Sequence, residues 1–231
     1  MIAGRFPAKS LVSGLGARKD HVRMRKLFTL LVGLTLTVAL AACQKPAGDT
    51  ATADDMSLGS PTAKVTMIEY ASVSCPHCAR FQNEVFPAFK TKYIDTGQVR
   101  YVAREALTGD PAIAAAGFLM ARCAGKDKYF QVVDAIYHAQ TEMFTAGDPH
   151  AVLLNIARSA GMSDTQFDSC IKDETALNAL NARWEHYVKD DKITGTPTFV
   201  INGKVYDKGE MSLAELDTAV AEAKAAGKTA S

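Results

Sequence analysis

The chain lacks several features at once. It has no run of about 20 apolar residues able to cross a bilayer, no internal repeat, and no marked overall excess of one charge sign. Its 231 residues carry a formal net charge of +1, with 22% charged and 48% hydrophobic. That balance gives no reason to expect a nucleic-acid partner, and the composition excludes wholesale disorder, collagen and coiled coil. Metal ligands are also scarce. One Cys-x-x-Cys is present, but no second closely spaced Cys/His pair completes the four ligands of structural zinc, so no metal and no cofactor are expected. What is left is a globular chain long enough to bury a sizeable core.

The near-neutral average hides two unlike segments. Residues 1–42 carry seven Lys/Arg and one acid, a net of +6, whereas residues 43–231 carry 19 Lys/Arg and 24 Asp/Glu, a net of −5. Arg23, Arg25 and Lys26 precede a short apolar run from Leu27 to Leu40, and small residues follow it. Those are the parts of a secretory signal peptide, so residues 1–42 are read as one, with Met24 as a compact start. The run ends Leu40-Ala41-Ala42-Cys43, which resembles the lipobox of bacterial lipoproteins. The resemblance implies cleavage before Cys43 and lipidation of its thiol; the alternative is an ordinary signal-peptidase site beside an incidental cysteine. Export makes lasting disulfides possible.

Residues 43–61 are rich in small and polar residues without an apolar period, and read as a flexible tether. Val65 to Tyr70 predicts a strand. Pro76 opens a helix toward Tyr93, in which Pro87 should produce a kink or break. Gln98 to Val102 predicts a second strand. Helical signals follow: Asp110-Pro111 to Gly125, Asp148-Pro149 to Gly161, a short helix capped by Ser163, and Glu174 to Val188. Thr198 to Ile201 and Lys204 to Tyr206 flank a hairpin turn at Asn202-Gly203. The capping box of Ser212 and Glu215 then opens a last helix, to about Ala226. This order predicts an α/β chain with a thioredoxin-like fold and an inserted α-helical domain. The expected boundaries are 62–107 for the first half, 108–190 for the insertion and 191–228 for the second half.

Cys75-Pro76-His77-Cys78 follows a predicted strand and opens a helix. A thiolate at a helix N-terminus accepts bonds from unpaired N–H groups and feels the positive end of the dipole. Both lower the cysteine pKa and stabilise the reduced pair. Pro76 suits the first turn, where its missing N–H costs nothing. His77, if protonated or donating, would favour the thiolate further. Cys75 is then the attacked sulfur and Cys78 the shielded, resolving one. Half a zinc site and a purely structural disulfide are the bland alternatives, and the latter would constrain almost no unfolded chain.

With these residues in place, the segment from about 62 to 227 resembles the DsbA family of bacterial thiol–disulfide oxidoreductases, as a lipoprotein member. The Cys-Pro-His-Cys tetrad, Glu69 and Gly195-Thr196-Pro197-Thr198-Phe199 carry the resemblance. It implies that Pro197 is a cis-proline facing the disulfide, that the Thr196 backbone pairs with substrate, and that Glu69 relays a proton to Cys78. The alternative for Glu69 is an exposed strand position, since alternation sets it opposite Ile68 and Tyr70. The likeness further implies reduced exported proteins as substrates, a DsbB-like membrane reoxidant, a monomer, and a lipid anchor in the periplasm. Gln44 after Cys43 favours the outer membrane over the inner. Thr196 is a departure: oxidases of the family typically carry valine there, and isomerases threonine. The rivals are therefore a reductase or isomerase of the same fold, or a non-enzymatic lipoprotein binding peptides or Cu(I).

Cys123 and Cys170 remain. In an exported domain they are expected to pair as a structural disulfide, the alternative being two buried thiols. His138, His150 and His186 show no ligand spacing and read as surface residues. Leu177, Leu180, Trp184 and Tyr187 mark one apolar helix face. Phe118, Met120 and Met143 read as core or as the lining of a substrate groove.

Overall fold

The computed structural model describes residues 51–145 and 147–229; the expected signal peptide, Cys43 and the start of the tether lie outside them. The sheet has five strands in the order β1 (Met56–Leu58), β3 (Val99–Glu105), β2 (Val65–Ala71), β4 (Thr198–Ile201), β5 (Lys204–Tyr206). β2 and β3 pair in parallel and the other neighbours antiparallel. A parallel pair needs a crossover, and a helical one is usual.

That crossover starts as α1 (Pro76–Arg80) and widens into a π turn at Phe81–Val85. It tightens again in α2 (Phe86–Phe89) and widens once more at Lys90–Ile94. Pro87 sits in the first turn of α2. The extra residue in the preceding wide turn removes the demand for a hydrogen bond that proline cannot donate. The helix is rewound at Pro87, not ended there.

Six helices among the described residues separate β3 from β4: α3 (Pro111–Cys123), α4 (Lys126–His138), α5 (Gln140–Thr145), α6 (Pro149–Ser159), α7 (Asp164–Ile171) and α8 (Glu174–Lys189). The side chains of Asp110, Asp148 and Asp173 accept from the first free N–H groups of α3, α6 and α8, which is the role of an N-cap. Ser163 and Gln166 form a reciprocal capping box on α7. After β4, Asn202 and Gly203 adopt φ of 44° and 84° in the hairpin to β5. Ser212 and Glu215 exchange caps at the start of α9 (Leu213–Thr229).

Two strands depart from the reading of the sequence. β1 lies inside the segment read as tether, held by the buried Met56 and by pairing with β3. β3 runs on to Glu105 because Arg104 and Glu105, whose charges look like a strand's end, are buried with partners.

Both faces of the sheet are covered. On one, Phe81, Phe89, Leu216 and Val220 pack on Met67, Tyr101 and Phe199; on the other, Tyr187 and Ile193 pack on Ile68, Tyr70 and Val200. A third cluster joins Val73, Cys75 and Cys78 to Phe118, Met120, Ile136 and Met143 of the helical block. Phe118, Met120 and Met143 are therefore core. At about 1.5–3 kcal/mol per buried large side chain, that cluster gives the cysteine pair a stiff wall.

Candidate active site

The loop from Ser72 to Ser74 turns the chain out of β2 so that Cys75 becomes the N-cap of α1, with its amide bonded to the Ser72 carbonyl at 3.1 Å. Cys75 is 7% exposed and Cys78, one turn in, is fully buried; both are free thiols. The Cys75 thiol reaches the Thr196 carbonyl at 3.5 Å, across a cis Thr196–Pro197 bond.

The two sulfurs are driven apart electrostatically. Hydrogen bonding from the Cys78 thiol, opposed by burial and helped by the Thr196 side chain and the Cys78 and His77 backbone, lowers Cys75 to about 5. Burial comes first in pushing Cys78 the other way, well above the usual thiol value, aided by Cys75 itself and by Glu69. One thiol is prepared to ionise and its neighbour to stay protonated.

The exposed ring of His77 meets Glu210 through Nδ1 at 2.6 Å, with Arg80 beside both.

Glu69 is wholly buried, although Ile68 and Tyr70 are buried too. Strand alternation does not expose Glu69, because β2 is central and helices cover both its faces. Gln82 Nε2 and the Tyr101 hydroxyl each donate to Glu69 Oε2 at 2.7 Å, and Oε1 has no hydrogen-bond partner among the described residues. Burial raises Glu69 to about 8 despite those two bonds. At neutral pH it carries a proton. Gln82 was legible in principle, since Cys75, Cys78 and Gln82 share the i, i+3, i+7 spacing of one helix face. Tyr101 reads only as an apolar strand residue.

Neighbouring side chains fix the backbone around the sulfur. Gln140 Nε2, buried at the start of α5, donates to the carbonyls of Val73 and Cys75 at 2.9 and 3.2 Å. Ser72 and Ser74 donate to the Thr108 carbonyl at 2.8 and 2.7 Å. Gly109 has φ of 76°, and a Cβ there would lie 2.7 Å from Ser74 Oγ, so only glycine lets this loop lie so close. Neither Gln140 nor Thr108 carries a sequence signal of its own. Away from this centre, Cys123 and Cys170 form a disulfide with Cα atoms 6.1 Å apart. His138, His150 and His186 are exposed beside acidic side chains.

A family model described as thioredoxin matches residues 51–222. The chain belongs to the thioredoxin family. This thioredoxin-family chain is 32% identical over 175 residues to a protein-disulfide oxidoreductase of Rickettsia bellii, covering 74% of this chain and 66% of that protein. It is 28% identical over 214 residues to the thiol:disulfide interchange protein DsbL of Lelliottia amnigena, covering 84% of this chain and 95% of that one. Its fold matches the crystal structure of Wolbachia pipientis α-DsbA1 with a TM-score of 0.69 or 0.68 in different forms, the latter at 26% identity, covering 78% of this chain and 95% of that one. Within the thioredoxin family the chain is thus DsbA-like, helical insertion included. It spans 55–66% of the length of the rickettsial relatives it matches.

Proposed function

We propose that this chain is a thiol–disulfide oxidoreductase that works as an oxidase, introducing disulfides into exported proteins through Cys75 and Cys78. The observation that carries the reading is the split between the sulfurs, one lowered to about 5 and the other raised. A thiolate stabilised this way favours the reduced pair, which makes the oxidised pair a strong acceptor of electrons. It is also a good leaving group.

In the proposed cycle a substrate thiolate attacks Cys75 Sγ of the Cys75–Cys78 disulfide. A bond forms from substrate sulfur to Cys75, and Cys78 departs as a thiolate. Glu69, protonated at neutral pH, supplies the proton that Cys78 then needs. A second substrate thiolate attacks the substrate sulfur of the mixed disulfide and expels Cys75 as a thiolate. The substrate leaves with a new disulfide, and the pair keeps two electrons and the proton. The Thr196 backbone beside Pro197 would align the substrate strand. A DsbB-like membrane partner would remove the electrons. Lipidation at Cys43, and a place on the periplasmic face of the outer membrane, belong to the same proposal.

The test is the reduction potential in glutathione buffers, with refolding of a reduced client protein. Cys75→Ala should abolish refolding activity and Cys123→Ala should leave most of it. A potential well above the thioredoxin range of about −270 mV supports the oxidase. A thioredoxin-like potential with an ordinary Cys75 titration would assign the chain to reduction or isomerisation instead, the side to which Thr196 leans.

A further inference from the structure

His77 and Glu210 meet at the mouth of the site, and neither takes part in the proposed cycle. Phe199 pairs with Tyr206 and Tyr70 with Thr198. The turn into Cys75, the Thr196–Pro197 bond and the loop after Tyr206 therefore lie at one end of the sheet. His77 stands in the first turn of α1, two residues beyond Cys75, and Glu210 in that loop. Nδ1 of the ring lies 2.6 Å from Glu210 Oε1, and Arg80 Nη2 lies 3.3 Å from the same oxygen. The His77 side chain is 62% exposed and that of Glu210 24%.

The short contact fixes which ring nitrogen carries the proton. A carboxylate oxygen only accepts, so Nδ1 donates. Arg80 Nη2 also lies 3.2 Å from Nδ1. A guanidinium has no acceptor and a protonated Nδ1 has no lone pair, so Arg80 serves the carboxylate. In the neutral ring the lone pair then sits on Nε2, which has no hydrogen-bond partner among the described residues. A carboxylate on Nδ1–H orients an imidazole and stabilises the imidazolium formed when Nε2 takes up a proton. Here that pair of base and orienter stands beside a sulfur that is attacked, not one that attacks.

An arriving substrate needs such a base. An ordinary thiol is only about 3% thiolate at pH 7, and the thiolate is the form that attacks a disulfide. Glu69 cannot meet it, being wholly buried and bonded to Gln82 and Tyr101. We propose that His77 is the general base for the incoming substrate thiol, with Glu210 as its positioning residue. The substrate S–H gives its proton to His77 Nε2, and its sulfur, keeping the electron pair, bonds to Cys75 Sγ. The Cys75–Cys78 bond breaks and its electrons go to Cys78. The exposed ring then hands the proton to solvent and is ready for the second thiol. The proposal rests on reading Cys75 as the attacked sulfur, and adds the base that this cycle lacks.

The experiment reacts the oxidised full chain at pH 7 with two thiols, following mixed-disulfide formation by acid quench. One is blocked cysteine, of ordinary acidity; the other is 4-nitrothiophenol, already a thiolate. His77→Gln should slow blocked cysteine about tenfold, within the ceiling of about 30-fold that 3% thiolate sets. It should slow 4-nitrothiophenol less than about twofold, since no proton is there to take. Glu210→Ala should slow blocked cysteine about fivefold in the wild-type background and change nothing further beside His77→Gln. Equal slowing of both thiols by His77→Gln would mean that the ring acts on the Cys75 sulfur and takes no proton. That result overturns the proposal and leaves the redox reading intact. A Glu210→Ala loss that persists unchanged beside His77→Gln would overturn the positioning role. A wild-type chain that reacts with neither thiol would sink the redox reading itself.

Discussion

Two buried carboxylates stand on adjacent strands, and the chain treats them in opposite ways. Glu69 on β2 and Glu105 on β3 are 0% and 1% exposed, and each accepts a bond from a tyrosine hydroxyl. Glu69 otherwise meets a neutral amide and keeps one oxygen without a partner among the described residues. Glu105 meets two guanidiniums: Arg122 Nε from α3 bonds both of its oxygens, at 2.7 and 2.8 Å, and Arg183 from α8 adds a third bond at 2.8 Å. A buried carboxyl with neutral donors is left able to exchange a proton. One gripped by cations becomes a joint between elements. The lesson is that partner type, more than depth, decides whether a buried acid serves chemistry or architecture.

The largest effect that could break this contrast comes from the architectural acid. Glu105→Ala leaves Arg122 and Arg183 facing each other in a largely buried site. Removing one member of a buried ion cluster costs about 3 kcal/mol or more, so the melting temperature should fall by about 10 °C. The Cys75 titration should stay where it is. Calorimetry and thiolate absorbance on the same sample check both halves. A stable variant with a shifted Cys75 would mean that the roles of the two acids had been exchanged.

The next effect concerns the proton on Glu69. Its folded value of about 8 lies above the ordinary 4.5, so between those limits the folded chain holds a proton that the unfolded chain has released. Stability then falls as pH rises. Cys75 does the reverse, with a folded value of about 5 against the ordinary 9, so its contribution rises with pH across that span. Each arm is worth about 1.4 kcal/mol per pH unit. In the reduced protein they oppose one another from about pH 5 to 8. Glu69→Gln removes the falling arm. Urea unfolding of the reduced variant should show stability climbing by about 1.4 kcal/mol per pH unit more steeply than wild type. Parallel slopes would mean that Glu69 ionises like a surface acid.

The contrast also explains what the sequence could and could not tell. Cys75, Pro76 and Cys78 announce themselves because strand, turn and helix cap coincide with a motif. The helix starts at Asp110, Asp148, Ser163 and Ser212 are legible because capping is local. Neither Glu69, one acid in an apolar strand, nor Glu105, at the charged end of another, carries a local signal of its role. What separates them arrives from Gln82 and Tyr101 in one case and from α3 and α8 in the other. The same cause hid the end of β3, because Arg104 and Glu105 read as polar until their partners Asp191 and Arg122 are in view. β1 went unread because three residues give no period. Thr108 and Glu210 have partners 88 and 133 positions away along the chain.

The smallest of these effects tests how finely the neutral donors hold Glu69. The Tyr101 hydroxyl donates to Oε2 and also accepts from Gln82 Nε2 at 3.2 Å, so it closes a three-membered polar ring between the sheet and the crossover helix. Both donations favour the carboxylate over the acid, and burial overrides them. Tyr101→Phe keeps the ring in the core and deletes one donor. Glu69 should then hold its proton more tightly, its midpoint moving above about 8 by roughly 1 pH unit for the loss of one bond to a charged acceptor. Carbon-13 titration of the Glu69 carboxyl reads that shift directly. A midpoint that falls or stays would show that the tyrosine only fills space, leaving Gln82 as the group that keeps this acid within reach of exchange.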